Sequence, residues 1–240
     1  MFGEMISQYI QSFLEKNKYS DFELKAVFFD MDGVLYNSMP NHAIAWVKTM
    51  QELNLPFTEY DVYMNEGRTG ESTINAFFPK VYNRNATKEE IQSIYNTKSL
   101  YFNQLPEAEP IEHVYDFLKL IKNKGLEIFL VTGSGQVSLL EKLNKSFPGI
   151  FQKEKMVTAF DVKYGKPNPE PYLIALSKGN LKPWQAIVVE NAPLGVRSAV
   201  DAGIFTIAVN TGILRDEELI KEGANVVLPT MKSLIKNWDL

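Results

Sequence analysis

Short runs of apolar residues recur along the chain, and each is rich in β-branched or aromatic side chains. The first occupies residues 24–29 and ends directly before Asp30. Apolar runs of this length are typical of strands that are buried on both faces of a parallel sheet. We therefore predict strands at 24–29, 127–131, 186–189, 204–209 and 225–228, with a weaker one at 156–159.

Helical patterns lie between these runs, with apolar residues three and four positions apart. We predict helices at 111–122, 137–146, 170–177 and 194–201. Glycines follow two of them, one or two residues before the next strand, where a glycine commonly ends a helix. The alternation of strands and helices predicts an α/β fold whose core is a doubly wound parallel sheet of the Rossmann type.

Residues 38–109 interrupt this alternation. Three groups of apolar side chains at helical spacing occur there, around Trp46, Phe77 and Ile94, and no strand pattern accompanies them. Prolines mark both ends of the segment. We predict a small all-α domain inserted after the first strand.

The predicted chain therefore has three parts. Residues 1–19 carry an amphipathic helix at 4–17, which we expect to pack on the body of the protein rather than to bind a partner. Residues 20–37 and 110–240 form the α/β core. Residues 38–109 form the helical insertion, which we call the cap.

Composition and charge exclude several classes of function. The 240 residues carry a net charge of −4, so no basic excess indicates nucleic acid or an anionic membrane as a partner. No cysteine is present, which excludes disulfides and thiol chemistry and is compatible with the cytoplasm. No apolar run has the length of a membrane span, and polar residues interrupt the first helix where a signal peptide would be continuous. We expect a cytoplasmic monomer.

Polar residues follow the predicted strands at the carboxyl edge of the sheet, where open parallel sheets bind their ligands. Carboxylates gathered there repel one another and raise one another's pKa values. A hard divalent cation relieves that repulsion, and a set of oxygen ligands favours Mg²⁺ over Zn²⁺. The residues concerned are Asp30 and Asp32, Thr132, Lys166, and Glu190 with Asn191.

A phosphate group completes the chemistry of this set. Mg²⁺ and Lys166 would neutralise charge on a transferring phosphoryl group. Thr132 and the backbone N–H groups of Gly133 and Ser134 would hold its oxygens. One aspartate would attack phosphorus and the other would move the proton. The sequence thus predicts a Mg²⁺-dependent enzyme of phosphoryl transfer.

Four segments, in this order, resemble the four motifs of the haloacid dehalogenase-like superfamily. They are residues 30–35 (DMDGVL), 131–134 (VTGS), 166–167 (KP) and 189–191 (VEN). The resemblance covers the chain from about residue 24 to its end, and the helical insertion is similar to the cap domain of that superfamily. Residues 166–172 (KPNPEPY) resemble the β-phosphoglucomutase-like group. Residues 66–70 (EGRTG) and 190–193 (ENAP) resemble a branch of that group with inorganic pyrophosphatase activity.

The resemblance implies a role for each matching residue. Asp30 would be the nucleophile that becomes an aspartyl phosphate. Asp32 would protonate the leaving oxygen and then activate water, and its backbone carbonyl would bind Mg²⁺. Thr132 would hold the phosphoryl oxygens, and Lys166 would stabilise the developing charge.

The fourth motif departs from the commoner pattern, which ends in two acids. Asn191 stands second, where its amide oxygen can ligate Mg²⁺ but brings no negative charge. Three interpretations follow: a tolerated substitution with weaker metal binding, a protein that only binds, or replacement of the acid by another residue. Glu66 of the cap is our candidate for that acid, with an exposed loop glutamate as the alternative. The predicted metal ligands are Asp30, Asp32, Glu190, Asn191 and Glu66.

Two further cap residues are candidates for the substrate site. His42 lies at the spacing from the nucleophile at which related mutases have a histidine, and it could assist the proton-transferring acid. A surface or hinge histidine is the alternative. Arg68 could bind a substrate phosphate, and an ion pair between cap and core is the alternative.

Inorganic pyrophosphate is the first substrate that we expect, followed by small sugar phosphates. A cap of this kind covers the site when it closes and so leaves little room for a bulky leaving group. Two alternatives remain open. One is β-phosphoglucomutase activity, which returns the phosphoryl group to a sugar, and the other is a phosphate- or metal-binding module that has lost catalysis.

Overall fold

A computed structural model of the protein describes residues 3–134 and 137–240. Its centre is a sheet of six parallel strands in the order β3-β2-β1-β4-β5-β6. The strands are β1 Ala26–Phe29, β2 Glu127–Val131, β3 Met156–Val157, β4 Ala186–Glu190, β5 Phe205–Val209 and β6 Val226–Leu228. This sheet confirms the predicted doubly wound α/β fold.

Helices cover both faces of the sheet and make up the cap. Outside residues 38–109 they are α1 Gly3–Asn17, α7 Val114–Asn123, α8 Val137–Ser146, α9 Glu170–Gly179, α10 Pro193–Asp201, α11 Asp216–Lys221 and α12 Met231–Asn237. Within residues 38–109 they are α2 Met39–Glu52, α3 Glu59–Met64, α4 Gly70–Phe77, α5 Pro79–Tyr82 and α6 Lys88–Asn103. Over the described part of the chain, none of these helices is long and apolar enough to span a bilayer.

The side chains of β1 show how the two helical layers pack. All four residues of this strand are fully buried. Val27 and Phe29 pack with side chains of α7 and α12, whereas Ala26 and Phe28 pack with side chains of α9 and α10. Because successive strand residues point to opposite faces, a run that is apolar throughout is buried on both sides.

Local contacts shift some predicted boundaries. Helix α7 begins at Val114 rather than at residue 111, because His113 has a left-handed backbone (φ 66°) that a helix cannot contain. Strand β3 ends at Val157 because Thr158 starts a turn, in which Asp161 accepts from its N–H and its hydroxyl at 2.8 Å each. Helices α11 and α12 are only six and seven residues long, and the apolar pattern did not predict them.

Helix α1 packs on the core through its apolar stripe. Ile6 is fully buried, and Phe13 is nearly so. The Phe13 ring meets the Phe205 ring edge to face, with their centroids 5.4 Å apart. Beyond the helix, the Tyr19 hydroxyl donates to the Gly203 carbonyl at 3.3 Å. These contacts attach α1 to β5 and to the turn that precedes it.

The cap has a hydrophobic cluster of its own. Trp46 from α2, Phe77 from α4 and Ile94 from α6 belong to it. Capping boxes begin two of its helices, and at α6 the Thr87 side chain accepts from the Glu90 backbone N–H. One side chain from outside residues 38–109, that of Leu214, also lies in this cluster.

The strand order places a crevice at the carboxyl ends of β1 and β4. The chain moves outward from β1 through β2 and β3, then returns to β4 on the other side of β1 and moves outward again. The loops after β1 and β4 therefore lead to opposite faces, and ligands bind between such loops. Asp30 directly follows β1, and Asn191 directly follows β4.

Candidate active site

The loop after β1 holds two buried carboxylates, those of Asp30 and Asp32. The Asp30 backbone N–H donates to the Val189 carbonyl at 3.1 Å, which extends the pairing of β1 with β4 into the site. Gly33 then turns the chain with φ 76°, and a Cβ atom there would lie 2.0 Å from Asn191 Nδ2. The turn therefore needs glycine both for its backbone and for the close approach of Asn191.

Lys166 joins Asp30 to Glu190. Its Nζ atom lies 2.6 Å from Asp30 Oδ1 and 2.6 Å from Glu190 Oε1, and it donates to the Val131 carbonyl at 3.1 Å. Burial alone would lower the pKa of this ammonium group, but the two carboxylates hold the pKa of Lys166 above its ordinary value. Lys166 therefore remains positively charged inside the site.

Glu190 is engaged by protein donors on both oxygens. Oε1 accepts from Lys166 and from the Tyr172 hydroxyl at 2.8 Å. Oε2 accepts from the backbone N–H groups of Asn191 at 3.0 Å and Ala192 at 3.2 Å. The prediction that Glu190 ligates a metal has no support in these contacts, which make Glu190 the residue that holds Lys166 in place.

The buried carboxylates outnumber the positive charge around them. Burial, with further contributions from Glu190 and Asp32, raises the pKa of Asp30 to about 8 against the lowering effect of Lys166. Burial and then the Asp30 charge raise the pKa of Glu66 well above its ordinary value. Lys166 is the lysine that contacts this group, and its one positive charge does not balance the carboxylates, so the pKa values of Asp30 and Glu66 stay raised.

Glu66 of the cap contacts Asn191 of the core. Asn191 Nδ2 donates to the two carboxylate oxygens of Glu66 at 3.0 and 3.1 Å, and both side chains are buried. The Asn191 Oδ1 atom is buried as well, and no described residue provides it with a hydrogen-bond partner. A buried amide oxygen without a donor is uncommon and is suited to receive a cation.

The carboxylates alone do not form a metal-binding cluster. Within residues 3–134 and 137–240, no three His, Cys, Asp or Glu side chains come together as a metal site. Of the predicted ligands, Asp30, Glu66 and the amide oxygen of Asn191 are grouped in the site, and the backbone carbonyl of Asp32 lies in the same loop as Asp30. An all-oxygen set with excess negative charge fits Mg²⁺.

Asp32 accepts hydrogen bonds at the entrance to the cap. Ser38 Oγ donates to Asp32 Oδ1 at 2.6 Å, and His42 Nε2 lies 3.2 Å from the same oxygen. Burial acts to raise the pKa of Asp32, but His42 and Ser38 together hold it below its ordinary value. The pKa values of Asp30 and Asp32 are thus shifted in opposite directions.

The loop after β2 lies beneath the cap. The Thr132 hydroxyl accepts from the Ser134 backbone N–H at 2.9 Å, and Thr132 itself is buried. Gly133 and Ser134 line the same cavity as the two aspartates. A Cβ atom on Gly133 would lie 2.3 Å from the Gly67 carbonyl oxygen, so the cap rests directly on this loop.

The cavity between cap and core is small. Its walls include Asp30, Asp32, His42, Glu66 and Arg68. The space open to the centres of water molecules is about 60 Å³. One water needs roughly 10–15 Å³ on this measure, so the cavity accepts only a small group of atoms.

Comparison with known families shows which kind of protein carries this site. A family model described as haloacid dehalogenase-like hydrolase matches residues 27–209. The chain belongs to the haloacid dehalogenase-like hydrolase family. The matched range runs from β1 to the end of β5 and contains all four motifs, so it confirms the resemblance predicted from those motifs.

Relatives in this family include phosphatases and a phosphomutase. A solved structure from Bacteroides vulgatus, assigned as a β-phosphoglucomutase, is 52% identical, has a TM-score of 0.95, and covers 99% of this chain and 96% of its own. A phosphorylated carbohydrates phosphatase from Thermotoga maritima is 29% identical over 210 residues, which are 85% of this chain and 94% of the relative. The pyrophosphatase PpaX of Bacillus pumilus is 28% identical over 213 residues, which are 88% and 95% of the two chains. The chain is thus an enzyme of the phosphohydrolase type.

Arg68 lines the cavity of this haloacid dehalogenase-like enzyme from the cap side. Its guanidinium donates to Asn65 Oδ1 at 3.0 Å and to the Ser72 hydroxyl at 3.1 Å. No ion pair between Arg68 and the core occurs among the described residues, so the alternative role as a cap–core ion pair is not realised there. Both contacts lie within the cap, and the charge of Arg68 is available to an anion in the cavity.

Lys98 is a site residue that the sequence analysis missed. It is 1% exposed, and its Nζ atom lies 2.8 Å from His42 Nδ1. Lys98 stands four residues after Ile94 and four before Phe102, which are both buried. A lysine on the apolar stripe of α6 is the signal that could have revealed it, because a buried lysine needs a specific partner.

The contact with Lys98 favours one tautomer of His42. If Lys98 donates to Nδ1, the ring proton of neutral His42 must be on Nε2, which then donates to Asp32. Burial and then the charge of Lys98 lower the pKa of His42, which favours this neutral form. Burial lowers the pKa of Lys98 itself to about 7. The row Lys98–His42–Asp32 thus connects α6 to the carboxylate predicted to move the proton.

We expect Lys98→Met to make the fold more stable and the enzyme slower. The folded state penalises the charged form of Lys98, so its cost is complete below pH 7 and vanishes as pH rises to 10.5, where both states are neutral. The variant should gain on the order of 2 kcal/mol in the free energy of unfolding at pH 7, allowing for the lost contact with His42. Its kcat should fall roughly tenfold because His42 loses its orienting donor.

Chemical denaturation between pH 6 and 10, with parallel rate measurements, tests this prediction. The exposed Lys88→Met at the start of α6 is the matched control and should leave both quantities unchanged. If the stability of the parent did not rise relative to Lys98→Met between pH 7 and 10, the depressed pKa of Lys98 would be refuted.

Proposed function

We propose that this haloacid dehalogenase-like enzyme is a Mg²⁺-dependent hydrolase of inorganic pyrophosphate that acts through an aspartyl phosphate on Asp30. The observation that carries the proposal is the contact of Glu66 with Asn191 beside a cavity of about 60 Å³. This contact requires the cap to lie close to the core. A bulky leaving group would hold the two apart, whereas the phosphate released from pyrophosphate is small.

Mg²⁺ would be held by Asp30, the backbone carbonyl of Asp32, the amide oxygen of Asn191 and Glu66. When bound, the ion supplies positive charge that shields the substrate phosphate from the carboxylates. Glu66 would restore the negative charge that Asn191 lacks, which explains why an amide suffices in the fourth motif. Because Glu66 belongs to the cap, metal binding and cap closure would be coupled.

In the first step, a carboxylate oxygen of Asp30 attacks phosphorus, and the bond from phosphorus to the bridging oxygen breaks. Asp32 gives its proton to that oxygen as it leaves. The negative charge of the substrate supports this role, because it raises the otherwise low pKa of Asp32. Lys166 neutralises charge on the transferring group, and Thr132 and the two backbone N–H groups after it bind its oxygens.

In the second step, Asp32 takes a proton from water, and the water oxygen attacks the phosphorus of the aspartyl phosphate. The bond from phosphorus to Asp30 breaks, which restores the carboxylate and releases the second phosphate. The hydrogen bonds from Ser38 and His42 orient Asp32 in this step. Their lowering of its pKa favours the carboxylate form that a base needs.

A β-phosphoglucomutase is the second candidate, because the 52% identical protein from Bacteroides vulgatus carries that assignment. A mutase uses the same aspartyl phosphate but must hold a sugar phosphate and exclude water. With the cap in the position described, the cavity has less room to spare for a hexose phosphate than for the smaller pyrophosphate. This size favours the hydrolase.

Phosphate release from a substrate panel tests the proposal. With Mg²⁺, kcat/KM for pyrophosphate should exceed that for hexose and pentose phosphates by at least about 100-fold, and excess EDTA should abolish turnover. Isomerisation of β-glucose 1-phosphate without phosphate release would establish the mutase instead. Absence of turnover on every substrate would favour a binding module, even though Asp30, Asp32, Thr132 and Lys166 are all present.

A further inference from the structure

The segment of residues 211–214 follows β5 in the core, yet it contacts the cap. Leu214 is 6% exposed and lies in the hydrophobic cluster of the cap, with Val62 and Tyr63 of α3 among its members. The neighbouring Ile213 is 50% exposed. One side chain of this core segment is therefore inserted into the cap, while the next points elsewhere.

Gly212 forms the point of closest approach to α3. A Cβ atom on Gly212 would lie 2.8 Å from Cε1 and 2.9 Å from Cδ1 of Tyr63. Such distances are not tolerated between carbon atoms, and the Tyr63 ring is only 4% exposed, so it has no room to turn away. A side chain at position 212 therefore requires that Tyr63 with α3 and the segment 211–214 move apart.

The same segment also contacts the loop that carries the aspartates. Thr211 Oγ1 donates to the Gly33 carbonyl at 2.5 Å. Asn210 Nδ2 donates to the Leu214 carbonyl at 2.9 Å and so closes the segment into a compact turn. Residues 211–214 thus connect the turn after Asp32 with helix α3.

The distance of α3 from the core determines whether Glu66 contacts Asn191. Glu66 follows Tyr63 by three residues, and its backbone N–H donates to the Tyr63 carbonyl at 3.4 Å. A displacement of Tyr63 therefore carries Glu66 away from Asn191.

We propose that Gly212 and Leu214 are specificity-determining residues, because they hold helix α3 close enough to the core for Glu66 to contact Asn191, which limits the size of the leaving group. We call this position of α3 the seating of the cap. Gly212 allows the approach of α3, and Leu214 anchors it. The identity of the small substrate rests on the proposed pyrophosphatase function. The role of Gly212 and Leu214 in positioning the cap does not depend on that function.

Gly212→Ala is the decisive variant. It should lower kcat/KM for pyrophosphate and preserve or raise it for a hexose phosphate, so that the ratio of the two shifts by at least about tenfold. The exposed Ile213→Ala is the matched control and should leave the ratio unchanged. Tyr63→Leu removes the ring that the new methyl group would meet, so in the double variant the effect of Gly212→Ala should become smaller.

A distance measurement tests the seating without any substrate. The chain has no cysteine, so Leu100→Cys on α6 and Leu173→Cys on α9, both exposed, accept two labels at defined positions. With Mg²⁺ and inorganic phosphate present, the labelled protein without a substitution at Gly212 should show a predominantly short cap–core distance. Gly212→Ala should shift the population toward longer distances.

The outcomes separate this inference from the proposed function. If Gly212→Ala changes neither the distance distribution nor the substrate ratio, the inference is wrong even where pyrophosphate is hydrolysed rapidly. If pyrophosphate is not hydrolysed but the cap opens, the proposed function fails and the inference stands. Leu214→Ala is a second test, because it removes the side chain that anchors α3. The inference can therefore still be refuted if Gly212→Ala folds poorly.

Discussion

Asp30→Asn should abolish turnover while leaving the fold intact. An amide does not attack phosphorus under these conditions, so we expect kcat/KM to fall by at least about 10⁴-fold. The amide oxygen of asparagine can still accept from Lys166, which lies 2.6 Å from Asp30 Oδ1. The substitution therefore keeps the shape and one key contact of the side chain and removes its nucleophilicity.

Mass spectrometry of the enzyme during turnover provides a second measurement. The parent should carry one phosphoryl group on Asp30 after rapid acid quenching, and Asp30→Asn should carry none. The exposed Asp21→Asn is the matched control, with full activity and normal labelling. Substantial turnover by Asp30→Asn, with normal thermal unfolding, would show that another group is the nucleophile.

Much of the core could be predicted from the sequence because its strands are buried on both faces. Every residue of β1 is fully buried, so its apolar run was visible without knowledge of its neighbours. The boundaries were less predictable because local hydrogen bonds decide them. Asp161 ends β3 by accepting from Thr158, and a sequence pattern does not show whether such a turn competes successfully with the strand.

The part of the site that depends on strand order could be predicted as well. Asp30, Thr132 and Asn191 follow β1, β2 and β4, and parallel strands bring their carboxyl ends to one edge. The roles of Lys98 and of residues 211–214 could not be predicted in this way. The contact of Lys98 with His42 arises from the packing of α6 on α2 within the cap, and that of Leu214 arises from the packing of the cap on the core. Both contacts join parts of the chain that are far apart in sequence.

Glu190 shows why residue type alone is insufficient. Its position after an apolar run and beside Asn191 made it a plausible metal ligand. In the structure, Lys166 and Tyr172 bind one oxygen, and backbone N–H groups bind the other. Only these contacts distinguish a carboxylate that positions a lysine from one that is open to a cation.

Glu66→Gln should separate metal binding from the shape of the site. Glutamine has nearly the same size and can still accept from Asn191 Nδ2, but it brings no negative charge to a group in which Asn191 is already neutral. We expect the Mg²⁺ concentration for half-maximal activity to rise about 10- to 100-fold, because one of the few charged ligands is lost. Pyrophosphate turnover at saturating Mg²⁺ should fall less than this.

Glu66→Ala should in addition relax the substrate range. Removal of the side chain takes away the contact that joins the cap to Asn191 and enlarges a cavity of about 60 Å³. We expect kcat/KM for pyrophosphate to fall by about 10²- to 10³-fold, with a smaller loss for hexose phosphates. Calorimetric titration with Mg²⁺ measures the metal affinity independently of turnover, and the exposed Glu71→Gln on α4 serves as the matched control. If Glu66→Ala changed neither Mg²⁺ affinity nor substrate range, Glu66 would have no part in metal binding, and Asn191 would have to function without a compensating acid.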